Sequence, residues 1–151
     1  MHPEYKEKFE RVGEKPLGVG GCAAAWKVKE KGTENIYVAK EFIGKEDDIK
    51  AVFKPEAKYL PMVDHPNVVK GHKVYGKGEA GSVLVMEFIK GMDLGKAALN
   101  GEKFSVGQMI PKKTLLDFMT QMAEAIRYFH CDLYAVHRDL HWGNWMLTES
   151  G

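Results

Sequence analysis

The sequence predicts an α+β fold, with a strand-rich part first and a helical part after it. In the first part, short apolar segments rich in β-branched and aromatic residues alternate with glycine-rich turns. In the second part, residues 114–130 carry apolar side chains at helical spacing. The pattern changes near residues 89–91, so we predict two domains, residues 1–90 and residues 91–151.

Strands are predicted throughout the first part. Residues 9–28 have the pattern of two strands joined by a glycine-rich turn, and residues 35–43 form an apolar run that is typical of a strand. Residues 68–75 and 82–88 are predicted as two further strands, with a glycine-rich turn at residues 76–81 between them.

A helix is predicted at residues 46–60, where charged residues surround an apolar stripe of Ile49, Val52 and Phe53. Pro55 lies within this segment. Because proline lacks the N–H group that a helix interior uses, Pro55 either kinks the helix or begins a second, short one.

The second part begins with a connector at residues 91–107, in which we expect a short helix. The longest helix is predicted at residues 114–130, with Thr114 and Asp117 as a capping pair. The apolar stripe of this helix comprises Leu115, Phe118, Met119, Met122, Ile126 and Phe129.

Composition and charge argue against several classes of protein. Hydrophobic residues make up 44% of the chain and charged residues 28%, and the net charge of +1 gives no reason to expect nucleic acid or a membrane surface as a partner. Residues 1–11 lack the apolar core of a secretory signal, and the apolar run at 83–89 is too short to span a membrane. Two cysteines provide no disulfide framework, so we expect a cytoplasmic or nuclear location.

A glycine-rich segment, Leu17-Gly18-Val19-Gly20-Gly21, lies within the first predicted strand pair. Glycines at such a turn let the backbone approach a phosphate closely and point N–H groups at it. The same segment also suits an ordinary tight hairpin. A dinucleotide-binding fold would need a helix directly after the loop, and a P-loop would need a following Gly-Lys-Ser/Thr, and neither pattern fits.

Lys40 ends an apolar, strand-like run, and Glu56 follows it sixteen residues later on the predicted helix. Each alone would be an ordinary surface charge. A strand pair and one turn would place Lys40 under the glycine-rich loop, within reach of a phosphate. Glu56 would then orient the ammonium group of Lys40 and keep it charged.

The segment after the long helix carries a carboxylate and a carboxamide five residues apart, Asp139 and Asn144. In a loop, the carboxylate can accept a proton from a hydroxyl group and the amide oxygen can bind a metal ion. His137 and His141 have the spacing of a zinc-binding helix. However, Arg138 stands where such a helix carries glutamate, so we disfavour a zinc site.

Taken in chain order, these segments resemble the eukaryotic protein kinase family of the serine/threonine type, over essentially the whole chain. The resemblance includes His65-Pro66-Asn67, a common turn after the glutamate-bearing helix. It implies an antiparallel-sheet N-lobe with one helix, a hinge with Met86 as gatekeeper, and a truncated helical C-lobe. The positions that it assigns to ATP are Leu17, Gly18, Val19, Gly20, Val38, Lys40, Glu56, Met86, Glu87, Phe88, Ile89 and Asp93. The positions that it assigns to catalysis are Lys40, Asp139, His141 and Asn144, with Asn144 as a ligand of Mg²⁺.

The chain departs from the family pattern in the glycine-rich loop, at Val38 in place of the usual alanine, in the catalytic loop and after Asn144. Ala23 replaces the third glycine of the loop, and Ala25 replaces the usual valine. The catalytic loop continues as Leu140-His141-Trp142-Gly143-Asn144, a variant that is similar to the loop of haspin-type kinases. The Asp-Phe-Gly segment of the family, which binds magnesium, does not occur before Gly151.

The resemblance implies an ATP- and Mg²⁺-dependent protein kinase that transfers the γ-phosphoryl group to a serine or threonine hydroxyl of a protein substrate. The chain is then a fragment without the Asp-Phe-Gly segment and the activation loop. Two alternatives stay open: a small-molecule kinase of the same fold, and a truncated, non-catalytic domain that binds nucleotide or a partner. Because later helices would cover the long helix, self-association through its apolar stripe is also expected.

Overall fold

The structure is a computed structural model that describes residues 1–95 and 112–148. The chain forms two compact units. The first unit comprises Met1–Asp64 and Val69–Phe88, and the second comprises His65–Val68 and Ile89–Gly151.

The first unit is built on an antiparallel sheet, as predicted. Its six strands are β1 (Phe9–Arg11), β2 (Gly18–Val19), β3 (Ala23–Glu30), β4 (Ile36–Phe42), β5 (Gly71–Tyr75) and β6 (Val83–Glu87). The strands follow the order β1-β3-β4-β6-β5, and β2 pairs with the other half of β3 from β1. The segment at 9–28 contains three strands instead of two, because Gly13, with a φ of 94°, and Pro16 interrupt it.

The sheet buries apolar side chains on both of its faces. The two faces alternate along each strand, so that Val83 and Val85 of β6 lie on one face and Leu84 on the other. The face that we call outer buries Tyr5, Phe9, Val28, Ala39, Tyr75, Val83 and Val85. The face that we call inner buries Ala23, Phe42, Ile49, Phe53 and Leu84.

Helix α1 (Pro3–Lys8) lies at the outer face and was not predicted from the sequence. It buries Tyr5, and Phe9 directly after it enters the same apolar cluster. A helix of six residues with a single buried side chain has too few turns to show a helical period in the sequence. Its position therefore depends on the sheet that it covers.

Helix α2 (Glu46–Tyr59) packs on the inner face through Ile49 and Phe53. The predicted helix is confirmed, but Val52 of the predicted stripe is exposed. Pro55 lies inside this one continuous helix and does not begin a second one. Proline leaves the carbonyl of Ala51 without its helical partner, and both residues are exposed, so water can satisfy that carbonyl.

The second unit contains helix α3 (Lys112–Arg127) and a two-stranded ribbon of β7 (Gly91–Asp93) and β8 (Met146–Thr148). The long predicted helix is confirmed, and it continues into a π-helical turn, Tyr128–Asp132. The predicted capping pair is wrong, because helical structure already begins at Lys112 and Thr114 lies inside it. Neither α3 nor any other described helix is long and apolar enough to cross a membrane.

The predicted connector at residues 91–107 is only partly described. Its first three residues are strand β7, which the sequence did not predict. A Cβ atom on Gly91 would lie 2.0 Å from the carbonyl oxygen of Leu147, so the close pairing of β7 with β8 requires a glycine here. Leu94 and Gly95 are helical, and the rest of the connector in which a short helix was expected, residues 96–107, lies outside the described residues.

Candidate functional site

The glycine-rich segment is a hairpin between β2 and β3. The N–H of Leu17 donates to the carbonyl of Ala25, and the N–H of Gly20 donates to the carbonyl of Ala23, both at 2.8 Å. Cβ atoms built on Gly18 and Gly21 would meet no atom within 4 Å, and neither residue has a positive φ. The chain's own packing therefore does not require glycine at these two positions. The open space beside them leaves room for a ligand to approach the backbone.

Lys40 and Glu56 form a bidentate ion pair between β4 and α2. The Nζ atom of Lys40 donates to Oε1 of Glu56 at 2.6 Å and to Oε2 at 2.8 Å. The side chains are 30% and 34% exposed, so the pair is partly screened from water but still accessible. Pro55 precedes Glu56 without disturbing this contact, because the helix continues through it.

The predicted hinge residues lie at the end of β6, the strand that pairs with β4, and directly after it. Val38 lies opposite Met86 in this pair of strands, and Met86 packs against the inner cluster. Glu87 is tied to Lys70, whose N–H donates to Oε1 of Glu87 at 2.6 Å. The ammonium group of Lys27 lies over the ring of Phe88, 4.6 Å from the ring centroid.

The remaining predicted residues lie in the second unit, around a loop between α3 and β8. Asn144 turns its amide nitrogen toward Asp139 and donates to the carbonyl oxygen at 2.7 Å and to Oδ2 at 3.1 Å. Nε2 of His141 lies 3.8 Å from Oδ1 of Asp139. The loop thus gathers Asp139, His141 and Asn144, which the sequence placed within six residues.

Both histidines of the loop accept hydrogen bonds from the backbone. The N–H of Asp139 donates to Nδ1 of His137 at 3.3 Å, and the N–H of Gly143 donates to Nδ1 of His141 at 3.1 Å. A neutral ring in this arrangement carries its proton on Nε2. Residues 1–95 and 112–148 contain no group of three or more His, Cys, Asp or Glu side chains that could hold a metal ion.

The backbone of the loop has features that the sequence did not reveal. Arg138, next to Asp139, has a φ of 65°, and Tyr134 has a φ of 50°. Non-glycine residues rarely adopt this region, and those that do often lie at functional turns. The residue types carry no signal for it, because neither arginine nor tyrosine favours a positive φ.

Asp93 and the loop are joined through the β7–β8 ribbon. Asp93 of β7 pairs with Met146 of β8, and the N–H of Leu94 donates to the carbonyl of Trp145 at 2.9 Å. A Cβ atom on Gly95 would lie 3.2 Å from Oδ1 of Asp93 and 4.0 Å from the nitrogen of Gly143. Asp93 therefore lies close to the turn that follows Asp139. Ile89, the last predicted hinge residue, precedes this ribbon.

Comparisons of the sequence with known proteins give consistent results. The model of the protein kinase domain family matches residues 11–151. The chain is 30% identical over 129 residues to the serine/threonine-protein kinase DCLK3 of Mus musculus, which covers 82% of this chain and 15% of that protein. It is 30% identical over 152 residues to the serine/threonine-protein kinase PkaA of Streptomyces coelicolor, which covers 91% of this chain and 26% of that protein.

A solved structure shows the same fold. The kinase domain of Mycobacterium tuberculosis PknI aligns with a TM-score of 0.74 at 20% sequence identity. The alignment covers 95% of this chain and 56% of the solved chain. The chain thus spans about half of that kinase domain and less than a third of the two curated relatives.

Proposed function

This chain belongs to the protein kinase family, and on that premise we propose that it is the nucleotide-binding and catalytic-loop part of an ATP-dependent serine/threonine protein kinase. The observation that carries the proposal is the bidentate Lys40–Glu56 pair. The two carboxylate oxygens of Glu56, at 2.6 and 2.8 Å, hold the accessible ammonium group of Lys40 in a defined place. A phosphate-binding lysine needs such a fixed position. The proposal assigns nucleotide binding to residues 1–90 and the catalytic loop to residues 91–151.

The phosphates of ATP fit the residues of the hairpin. The space beside Gly18 allows the backbone to approach a phosphate, and Lys40 supplies a positive charge from β4. Leu17, Val19 and Gly20 would complete this cradle. Val38 and Met86, which face each other across β4 and β6, would contact the adenine, and the backbone of residues 87–89 would bond its edge. Asp93 would bind the ribose.

Asp139 is the proposed acceptor of the hydroxyl proton. Its carboxylate is 74% exposed and is oriented by the amide nitrogen of Asn144 through Oδ2. Oδ1 therefore has room to accept a proton from a substrate hydroxyl. His141 would place its Nε2 hydrogen beside the same carboxylate and the transferred phosphoryl group.

Magnesium fits the opposite end of the Asn144 side chain. Because the amide nitrogen of Asn144 donates hydrogen bonds to Asp139, the amide oxygen of Asn144 is the atom that would hold the ion. When bound, magnesium offsets the negative charge that the phosphates carry during transfer.

The experiment that tests the proposal is a titration with a fluorescent ATP analogue. Lys40→Ala should raise the Kd by about tenfold or more, because a charge-assisted bond to phosphate is lost. Lys29→Ala is the matched control, since Lys29 pairs with Glu34 on the exposed surface of the same sheet. Equal affinities of the wild type and Lys40→Ala would contradict the phosphate-binding role.

A small-molecule kinase of the same fold is the second candidate, because His141 and Gly143 depart from the usual protein-kinase loop. A phosphorylation assay that offers a basic protein and amino alcohols side by side separates the two. Phosphate on the serine or threonine residues of the protein supports the first function. Phosphate on the amino alcohol alone supports the second, and nucleotide binding without transfer to either supports a non-catalytic domain.

A further inference from the structure

Two consecutive residues of β4 are held from opposite faces of the sheet. Lys40 shares the inner face with Phe42 and is bound there by Glu56 of α2. Glu41 shares the outer face with Ala39, and its side chain is only 6% exposed. A buried carboxylate needs hydrogen-bonding or charged partners, so the groups around Glu41 decide whether β4 can keep this position.

Within the described part of the chain, the side-chain partners of Glu41 come from the segment that precedes the glycine-rich hairpin. The hydroxyl of Tyr5 donates to Oε1 of Glu41 at 3.0 Å, and Nε of Arg11 donates to the same oxygen at 3.4 Å. Nη2 of Arg11 is paired with Oε2. The guanidinium group also lies 3.7 Å from the ring centroid of Trp26 of β3, which gives it a second favourable contact.

These contacts form one connected arrangement around the end of β4. Burial, followed by the negative charge of Glu41, raises the pKa of Tyr5, so its hydroxyl stays protonated and remains a donor. The N–H of His2 donates to the carbonyl of Gly81, and the N–H of Gly81 donates to the carbonyl of Phe42. The N-terminal segment is therefore attached to β4 through Glu41 and to the turn before β6 through Gly81.

We propose that Glu41 is a positioning residue for Lys40, and that Tyr5 and Arg11 act on nucleotide binding through it. The ladders to β3 and β6 set the register of β4, and Glu41, anchored on the outer face, holds the end of the strand in one orientation, with the side chain of Lys40 on the inner face. Loss of that anchor lets the end of β4 move and misplaces the ammonium group. This inference rests on the proposed phosphate-binding role of Lys40.

The test compares two ligands, ATP and adenosine, because Lys40 acts on phosphates and adenosine has none. Glu41→Gln keeps the shape of the side chain and removes its charge, and should raise the Kd for ATP by about threefold to tenfold. The Kd for adenosine should change by less than about twofold. Tyr5→Phe, which leaves the ion pair in place, should give a smaller change in the same direction. Glu34→Gln, on the exposed Lys29–Glu34 pair, is the matched control and should change neither Kd.

The same measurements in a Lys40→Ala background separate this inference from the proposed function. If Glu41 acts through Lys40, Glu41→Gln added to Lys40→Ala should cause no further loss of ATP affinity. Equal losses for ATP and adenosine, or an undiminished loss in the Lys40→Ala background, would overturn the positioning role. If Lys40→Ala alone binds ATP like the wild type, the proposed function itself fails. Should Glu41→Gln fail to fold, Tyr5→Phe supports the inference if it weakens ATP alone, and overturns it if it changes both ligands equally.

Discussion

Lys40 and Glu56 are held by a sheet and a helix, whereas Asp139 and Asn144 are held within a single loop. The first pair joins residues sixteen apart in sequence, and its side chains are 30% and 34% exposed. The second pair joins residues five apart, and the side chain of Asp139 is 74% exposed. The first pair therefore depends on the packing of the core, and the second depends on hydrogen bonds within one exposed loop, for which water competes.

This difference indicates how each region tolerates change. Around Lys40, separate apolar clusters pack on the two faces of the sheet. Substitutions in either cluster can therefore move β4 and so change the geometry of the Lys40–Glu56 pair. Around Asp139, the geometry is set by backbone bonds to His137 and His141 and by the β7–β8 ribbon. We expect substitutions in the loop to act on chemistry with little effect on stability, and substitutions in the sheet to act on both.

The largest expected effect is that of Asp139→Asn on turnover. In a chimera in which a related kinase supplies the sequence after residue 151, this change should lower kcat by about 10²–10⁴-fold, the usual range for a positioned acid–base group. The KM for the protein substrate should change little, and so should the melting temperature. Asp132→Asn is the control, since Asp132 is a partly exposed carboxylate that pairs with Arg127 in the same unit. Near-full turnover of Asp139→Asn would remove this residue from the mechanism.

The next largest expected effect is on stability. It is measured by comparing substitutions of two neighbouring residues of α2. Phe53 is 2% exposed and packs on Phe42, whereas Val52 is 39% exposed. Phe53→Ala should lower the free energy of unfolding by about 3–5 kcal/mol, because it leaves a cavity in the inner cluster. Val52→Ala should change it by about 0.5 kcal/mol or less. Urea denaturation followed by circular dichroism measures both. Similar losses for the two variants would show that the inner cluster does not control stability.

The smallest effect is a change in self-association. Helix α3 exposes Leu115, Leu116 and Met119, and Met119 is 57% exposed. Such an uncovered apolar face favours association between copies of the chain. Sedimentation velocity should show larger species as concentration rises, and Met119→Lys should shift them toward monomer. Val52→Lys, on α2, is the control and should not do so. A wild-type chain that stays monomeric at all concentrations would contradict the prediction.

Much of the fold could be predicted because its signals are local in the sequence. Apolar alternation and glycine-rich turns marked the strands, and a helical period marked α3, since each pattern follows from the geometry of its own element. The candidate site could be predicted in the same way, because the glycine-rich segment, Lys40, Glu56 and the Asp139 loop occur in a specific order. The resemblance to protein kinases depended on that order more than on any one of these residues.

The tertiary structure alone decided which of these residues meet and how they are held. The sequence offered no reason to place Tyr5 and Arg11 on Glu41, because the partners lie 36 and 30 residues apart and each is an ordinary residue in its own segment. It could not decide between a kink and a helix start at Pro55, since the answer depends on whether water reaches the neighbouring carbonyl. Nor could it show the positive φ of Arg138, because arginine does not favour that conformation. Local patterns determine elements, whereas burial and long-range pairing determine the geometry of the site.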